Sequence, residues 1–199
     1  MGFPITGATT IGILCKNGVV LASEKRISYG YSLMSKAGKK VFLINNRIGV
    51  AFAGLISDAQ AVLRRLAMEI RLYELEKDTK MSVRAAAKFL ANLLYSQRFF
   101  PVFTETIIGG FDEEGFKLFI LDQLGSLIED KYAAVGTGAA LAISIIEGSY
   151  KEDMTIEEAR ELAIKSMKAA ISRDVVSGDG IDLVIISNNE SKEEFIPIR

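Results

Sequence analysis

GATTIGILCKNGVVLASEK, residues 7–25, is the stretch whose reading decides the fold. Residues 7–15 are small, apolar or β-branched, with no charge and no proline, and they read as a strand. Asn17-Gly18 follows between two apolar runs. That pair is a strong hairpin signal, because both central positions of a type I′ turn need positive φ. Residues 19–23 are then the partner strand. The hairpin leads with Gly7, Ala8, Thr9 and Thr10, and the purpose of those four residues depends on what lies downstream.

Outward from this hairpin the chain groups its elements. Residues 24–40 read as a polar loop, and 41–44 and 48–53 as a second hairpin turning at Asn45-Asn46. From Ser57, a candidate N-cap, the period becomes helical. Ala59, Val62, Leu63, Leu66, Ile70 and Tyr73 share one face, with Arg64, Arg65 and Glu69 off it. A second helix is predicted over 82–97, stopped by Pro101. Strands are predicted at 104–108, 116–121 and 126–134. Gly136-Thr137-Gly138 opens an apolar helix to about residue 147, and the capping box Thr155 to Glu158 opens another to about residue 173. A last hairpin, 181–186 with 194–198, turns at Asn188-Asn189. Strands, two helices, strands, two helices, strands is not the alternation of a doubly wound sheet. It predicts an α+β fold: a four-layer αββα sandwich of two stacked antiparallel sheets flanked by helix pairs.

Composition narrows the chemistry. The chain has 199 residues, 49% of them apolar, and a net charge of -1. No broad electrostatic pull toward nucleic acid or an anionic membrane is expected. No run of about 18 apolar residues is present to span a bilayer, and no signal peptide is expected. Gly2 and Thr6 fit the short myristoylation pattern, without the basic cluster that would support it. Cys15 is the single cysteine, so no intrachain disulfide forms and the cytoplasm is the default compartment. There is no histidine. That removes Ser-His-Asp and Cys-His hydrolases and the common zinc sites. Acid–base work falls to carboxylates, lysine, tyrosine or the α-amine, and neither cofactor nor metal is expected.

The isolated motifs are weak. Gly38-Lys39-Lys40 lacks the earlier glycine and the Ser or Thr of a phosphate-binding loop. Gly136-Thr137-Gly138 follows a strand and opens a helix, but Leu141 stands where a dinucleotide fingerprint has its third glycine. Cys15 reads as a small core residue, Ser177-Gly178-Asp179-Gly180 as a turn, and Glu24-Lys25-Arg26 as solvated charges.

Taken together, the ordered segments GATTIGI, GVVLASEKR, AGKKVF, AFAGLISDAQ, IIGGFDEEG, GSLIEDKYAAVGTG and RDVVSGDGID resemble the proteasome β subunits of the archaeal kind, which are N-terminal-nucleophile hydrolases. The resemblance runs from Gly7 nearly to the end. It implies a single β-type domain over 8–199 behind a propeptide-like extension, 1–7. It also implies assembly with proteasome α subunits and other β subunits in stacked seven-membered rings that degrade unfolded polypeptide. In that family a mature N-terminal threonine supplies the hydroxyl nucleophile, and its free α-amine accepts the proton. Lys40 matches the family's lysine and Glu24 the acid that orients it. Thr137 sits where the family usually has serine, keeping a hydroxyl; Asp174 and Ser177 match the residues that support the amine end, and the Gly54 N–H the oxyanion donor. Ile27, Gly38 and Phe52 match positions lining the side-chain pocket, which would favour apolar residues before the cut.

The leading residues now acquire meaning. The nucleophile's slot falls on Ala8, which has no hydroxyl, with Gly7 where the family self-cleaves. Thr9 is the first threonine of the run and the candidate catalytic residue if the chain slides by one. In the normal register it faces away from Lys40, since successive strand residues point to opposite sides. Thr10 faces the right way but lies roughly 6–7 Å further along. Three accounts of Ala8 stand open at the level of sequence: a natural ring-building subunit, an engineered Thr→Ala change, or the slide onto Thr9.

Overall fold

The computed structural model describes residues 7–30, 32–188 and 190–198. The elements in chain order are β1 (Thr9–Cys15), β2 (Gly18–Glu24), β3 (Ile27–Tyr29), β4 (Ser32–Ser35), β5 (Val41–Asn45), β6 (Ile48–Gly54), α1 (Ile56–Lys77) and α2 (Val83–Ser96). They continue with β7 (Thr104–Asp112), β8 (Gly115–Leu121), β9 (Ile128–Glu129), β10 (Tyr132–Gly136), α3 (Ala139–Glu147), α4 (Ile156–Ile171), β11 (Ile181–Ser187) and β12 (Ser191–Ile196).

Among the described residues two five-stranded antiparallel sheets form, ordered β10-β1-β2-β11-β12 and β5-β6-β7-β8-β9, beside the two-stranded β3-β4. Every residue of β2 is buried, because β1 and β11 pair with its edges and both of its faces are covered. Alternation sorts its side chains. Val20 and Ala22 join Ile11, Ile13, Leu183 and the α4 residues Ala163 and Met167 in one apolar cluster. Val19 and Leu21 meet Ala51, Ile107 and Leu118 of the other sheet. Val50, Phe52, Ile108 and Phe119 close the remaining layer against Leu66 of α1 and Leu90 of α2. The sandwich is therefore αββα, as the grouping of elements predicts. The sheets approach closely: a Cβ at Gly12 would lie 2.8 Å from both Ile107 and Leu118 side-chain carbons.

Several local expectations change. Ser57 does not cap α1; the cap position is Leu55, which makes no side-chain bond, and the helix starts at Ile56. Asp58, in the first turn, takes the structural role by accepting from the Phe103 N–H at 2.8 Å. The 24–40 stretch is not all loop, since it folds back as the small β3–β4 hairpin. The single strand predicted over 126–134 is two: β9 pairs with β8, then the chain crosses and β10 pairs with β1 in the other sheet. Ser82, where the second helix is predicted to begin, is the cap of α2 and accepts from the Ala85 N–H, and the Thr155–Glu158 capping box is complete. Asn189 of the last turn, the N-terminal extension up to residue 6 and the Gly2/Thr6 pattern lie outside the described residues. Among the described residues, no helix is long and apolar enough to cross a membrane.

Candidate active site

The head of β1 is where the fold brings distant chain segments together. Ala8 is buried in the cluster between the sheets, beside Ala53 and Val135. Its carbonyl oxygen accepts from the Thr137 N–H at 2.9 Å, and Thr137 Oγ1 lies 3.3 Å away. Gly136 must be a glycine here: its φ is +93°, and a Cβ would lie 2.0 Å from that carbonyl oxygen. Alternation then sends Thr9 to the opposite side of the sheet. Thr9 Oγ1 lies 2.8 Å from Ser177 Oγ and 3.5 Å from Asp174 Oδ2. Thr10 points back the other way, donating to the Phe52 carbonyl at 2.9 Å.

Two polar clusters lie near the head of β1, one joined to Ala8 through Thr137 and the other sharing a cavity wall with Gly7 and Gly54. In the first, Asp174 Oδ2 gathers hydroxyls: Ser177 Oγ donates to it at 2.6 Å and Thr137 Oγ1 at 2.5 Å, with Thr9 beyond. In the second, Lys40, which immediately precedes β5, directs its ammonium at Glu24 Oε1 and at the Arg26 carbonyl, 2.6 Å away. Glu24 Oε2 accepts from the Arg26 N–H at 2.6 Å and the Gly178 N–H at 3.0 Å. Both ionic groups are withdrawn from water, Lys40 at 4% and Glu24 at 0% exposure. Burial pushes the Glu24 carboxyl up and the Lys40 ammonium down from their ordinary values, and the attraction between them opposes both shifts. A buried ammonium of this kind is suited to stabilising a nearby oxyanion or lowering a hydroxyl's proton affinity. No hydroxyl occupies the Ala8 position to receive that help.

An apolar cavity of about 170 Å³ opens beside this point, lined among others by Gly7, Ile27, Met34, Lys40, Gly54 and Ile56. Of the three pocket positions expected from sequence, Ile27 is on this wall. Gly38 packs behind it, where a Cβ would lie 2.4 Å from Ile27 Cγ1. The Phe52 ring belongs to the helix-side cluster and tilts against Phe42 at 6.4 Å. Gly54 ends β6 with φ of +130°, and a Cβ there would lie 2.2 Å from the Phe103 carbonyl oxygen. Met34 and Ile56 on the wall are not legible in sequence, because the β3–β4 hairpin that carries Met34 has no clear alternation. Ser28 Oγ, from the same wall, is buried and finds no partner among the described residues. Arg26 reads as a solvated charge in the sequence, yet its guanidinium donates to Asp179 Oδ2 at 2.8 Å and to the Val175 carbonyl at 2.9 Å. The Gly136-Thr137-Gly138 turn is filled by this site: a Cβ at Gly138 would lie 2.2 Å from Thr9 Oγ1.

Comparison with known proteins shows the family of the chain. Residues 5–186 match the family model described as Proteasome subunit. Proteasome subunit beta 2 of Pyrobaculum neutrophilum is 52% identical over 193 residues, covering 97% of this chain and 95% of its own. Proteasome subunit beta 1 of Ignicoccus hospitalis is 54% identical over 180 residues, covering 90% of each chain. Proteasome subunit beta 1 of Hyperthermus butylicus is 48% identical over 198 residues, covering 97% of each chain. The chain belongs to the proteasome subunit family.

Proposed function

We propose that this chain is a β subunit of an archaeal 20S proteasome core. It builds the degradation chamber and holds a proteolytic frame from which the nucleophile is missing. Its partners are α subunits and a second β chain in stacked seven-membered rings, its compartment is the cytoplasm, and its substrate class is unfolded polypeptide. Its archaeal relatives at about half identity are named beta subunits, which supports the ring role. One observation carries the chemical part: Ala8 stands at the head of β1, while the Thr9 hydroxyl is directed at Ser177 and Asp174 instead of at Lys40.

The reaction the frame would support follows from its parts. A hydroxyl at position 8 would lose its proton to the chain's own freed α-amine, whose pKa of about 8 is near working pH. Lys40, kept oriented by Glu24 and the Arg26 carbonyl, would favour the alkoxide. The Gly54 N–H would donate to the tetrahedral oxyanion, and the apolar cavity would take the side chain before the cut. With alanine in that slot neither self-cleavage at Gly7 nor substrate hydrolysis proceeds from this chain. The test is assembly of the chain with α subunits, with and without another β chain, followed by peptide hydrolysis and the intact mass of the chain. Hydrolysis only when the second β chain is present, with this chain keeping its first seven residues, supports the reading. Hydrolysis by this chain alone, from a mature form beginning at Thr9 and abolished by Thr9→Ala, would overturn it.

A further inference from the structure

The segment 174–180 carries four contacts on which the site depends. Ser177 Oγ meets Thr9, Ser177 and Thr137 meet Asp174, and the Gly178 N–H donates to Glu24. The segment has no regular secondary structure, and near its end Asp179 takes a φ of +68°, a conformation most side chains avoid. One guanidinium spans it. Arg26 donates through Nη1 to the Val175 carbonyl and through Nε to Asp179 Oδ2, so that Ser177 and Gly178 lie between the two anchor points. The guanidinium also lies close against Gly178, where a Cβ would sit 2.5 Å from Nη2. Backbone bonds complete the bracket, Lys25 N–H to the Gly178 carbonyl at 3.0 Å and Arg26 N–H to Glu24.

We propose that Arg26 and Asp179 are positioning residues: their ion pair clamps segment 174–180 so that Ser177 is held against Thr9 and the Gly178 N–H against Glu24. The inference rests on reading Lys40, Glu24 and Ser177 as one proteolytic frame. The geometry calls for arginine in particular. Nε and Nη1 of one planar group reach two acceptors four residues apart, which a lysine ammonium on a flexible stem cannot hold in fixed directions. The Arg26 backbone contacts to Glu24 and Lys40 survive any change of its side chain, so the clamp can be loosened separately from them.

The clamp acts on Glu24 through Gly178. The charged groups bearing on Glu24, Lys40 and Arg26 include Lys25, Asp174 and Asp179. Loss of the Gly178 donor leaves Glu24 with one backbone N–H fewer on its ionised form, so it takes up a proton at higher pH.

Two measurements on the full chain assembled with α subunits decide this. The first is hydrogen exchange across 174–180 in the otherwise unaltered chain. Arg26→Lys is expected to speed exchange of the Gly178 amide on the order of 10-fold, while Asp179→Asn, which keeps an acceptor and tolerates positive φ, has a smaller effect. Unchanged protection in Arg26→Lys overturns the clamp. The second uses Ala8→Thr as the parent. Adding Arg26→Lys is expected to lower kcat on the order of 10-fold with KM little changed, and to move the acid limb of the profile to higher pH. A folded double variant with the parent's kcat and pH profile overturns the positioning role. An Ala8→Thr chain that shows no hydrolysis would sink the reading of the frame instead, and the exchange measurement would still decide the clamp.

Discussion

Thr9 Oγ1 lies 2.8 Å from Ser177 Oγ, on the side of β1 opposite to Ala8 and Thr10. Both hydroxyls are buried, and Ser177 keeps Asp174 as a second partner. Thr9→Val keeps the shape and removes the hydroxyl. Its expected cost is about 1 kcal/mol, the worth of one buried hydrogen bond, read as a shift in the urea midpoint. Thr9→Ser should restore most of it. A loss of stability as large in Thr9→Ser as in Thr9→Val would point to methyl packing in place of the Ser177 contact.

Ala8→Thr tests the missing nucleophile directly. Ala8 is 1% exposed and faces Ala53 and Val135, so an added hydroxyl and methyl must find room beside Gly54 and the apolar cavity. The expected result on assembly is a chain shortened by its first seven residues, visible as an intact mass that begins with the substituted residue, together with new peptide hydrolysis. A chain that assembles with its full mass and stays inert contradicts the frame described above.

The layers are legible in the sequence because periodicity and grouping report burial. Val19 to Ala22 is apolar on both faces, so β2 has to be covered twice, and no arrangement short of a sandwich does that for this order of elements. The crossover at Asp130-Lys131 is not legible, since β9 is only two exposed residues, too short to show a period, and pairing alone reveals that the partner strand changes from β8 to β1. In the site, Lys40, Glu24, Asp174 and Ser177 come through resemblance, and spacing alone offers no reason to join residues 134 to 153 positions apart. Arg26 and Asp179 escape a sequence reading for a physical reason: charges in a turn-rich stretch are usually solvated, and only the tertiary fold shows that these two meet.

The Lys40–Glu24 pair is expected to be expensive to break and cheap to replace. Lys40→Met leaves a fully buried carboxylate without its cation, a loss on the order of 3–5 kcal/mol. Glu24→Gln leaves the ammonium similarly stranded. The double variant should lose clearly less than the sum, because neither charge is then buried alone. Chemical denaturation of the four proteins measures the coupling. Additive losses would mean that the pair is not the unit its geometry suggests.

Asp122 gives a pH dependence with a definite sign. Ser126 Oγ donates to Oδ2 at 2.6 Å, and the Leu124 and Ser126 N–H groups donate to Oδ1. The Ser126 hydroxyl first, and the backbone donors after it, hold the carboxyl below its ordinary value of 3.8. A folded value below the unfolded one means that the contribution is present above pH 3.8 and fades as pH falls through the folded value. The side chain is exposed, so the effect is under about 1 kcal/mol. Asp122→Asn should therefore be slightly less stable than the unaltered chain at neutral pH, and the gap should close only as pH falls below 3.8 and through the folded value. A gap that widens on acidification would contradict the assignment.

Gly136 and Gly115 separate backbone strain from contact with the site. Their φ angles are alike, +93° and +102°, so alanine carries a similar conformational penalty at each, of order 1–3 kcal/mol. Around Gly115 there is nothing within 4 Å of a new Cβ, whereas at Gly136 the Cβ would stand 2.0 Å from the Ala8 carbonyl oxygen. Gly115→Ala should show the strain term alone. Gly136→Ala must also push the head of β1 away, which breaks the Thr137 N–H bond to Ala8 and shifts Thr9 relative to Ser177. The expected signature is a larger fall in stability for Gly136→Ala, with faster amide exchange at Thr137 that Gly115→Ala lacks. Equal losses in the two variants would show that β1 can yield at its head without cost, and the tight seating of Ala8 would then carry no structural weight.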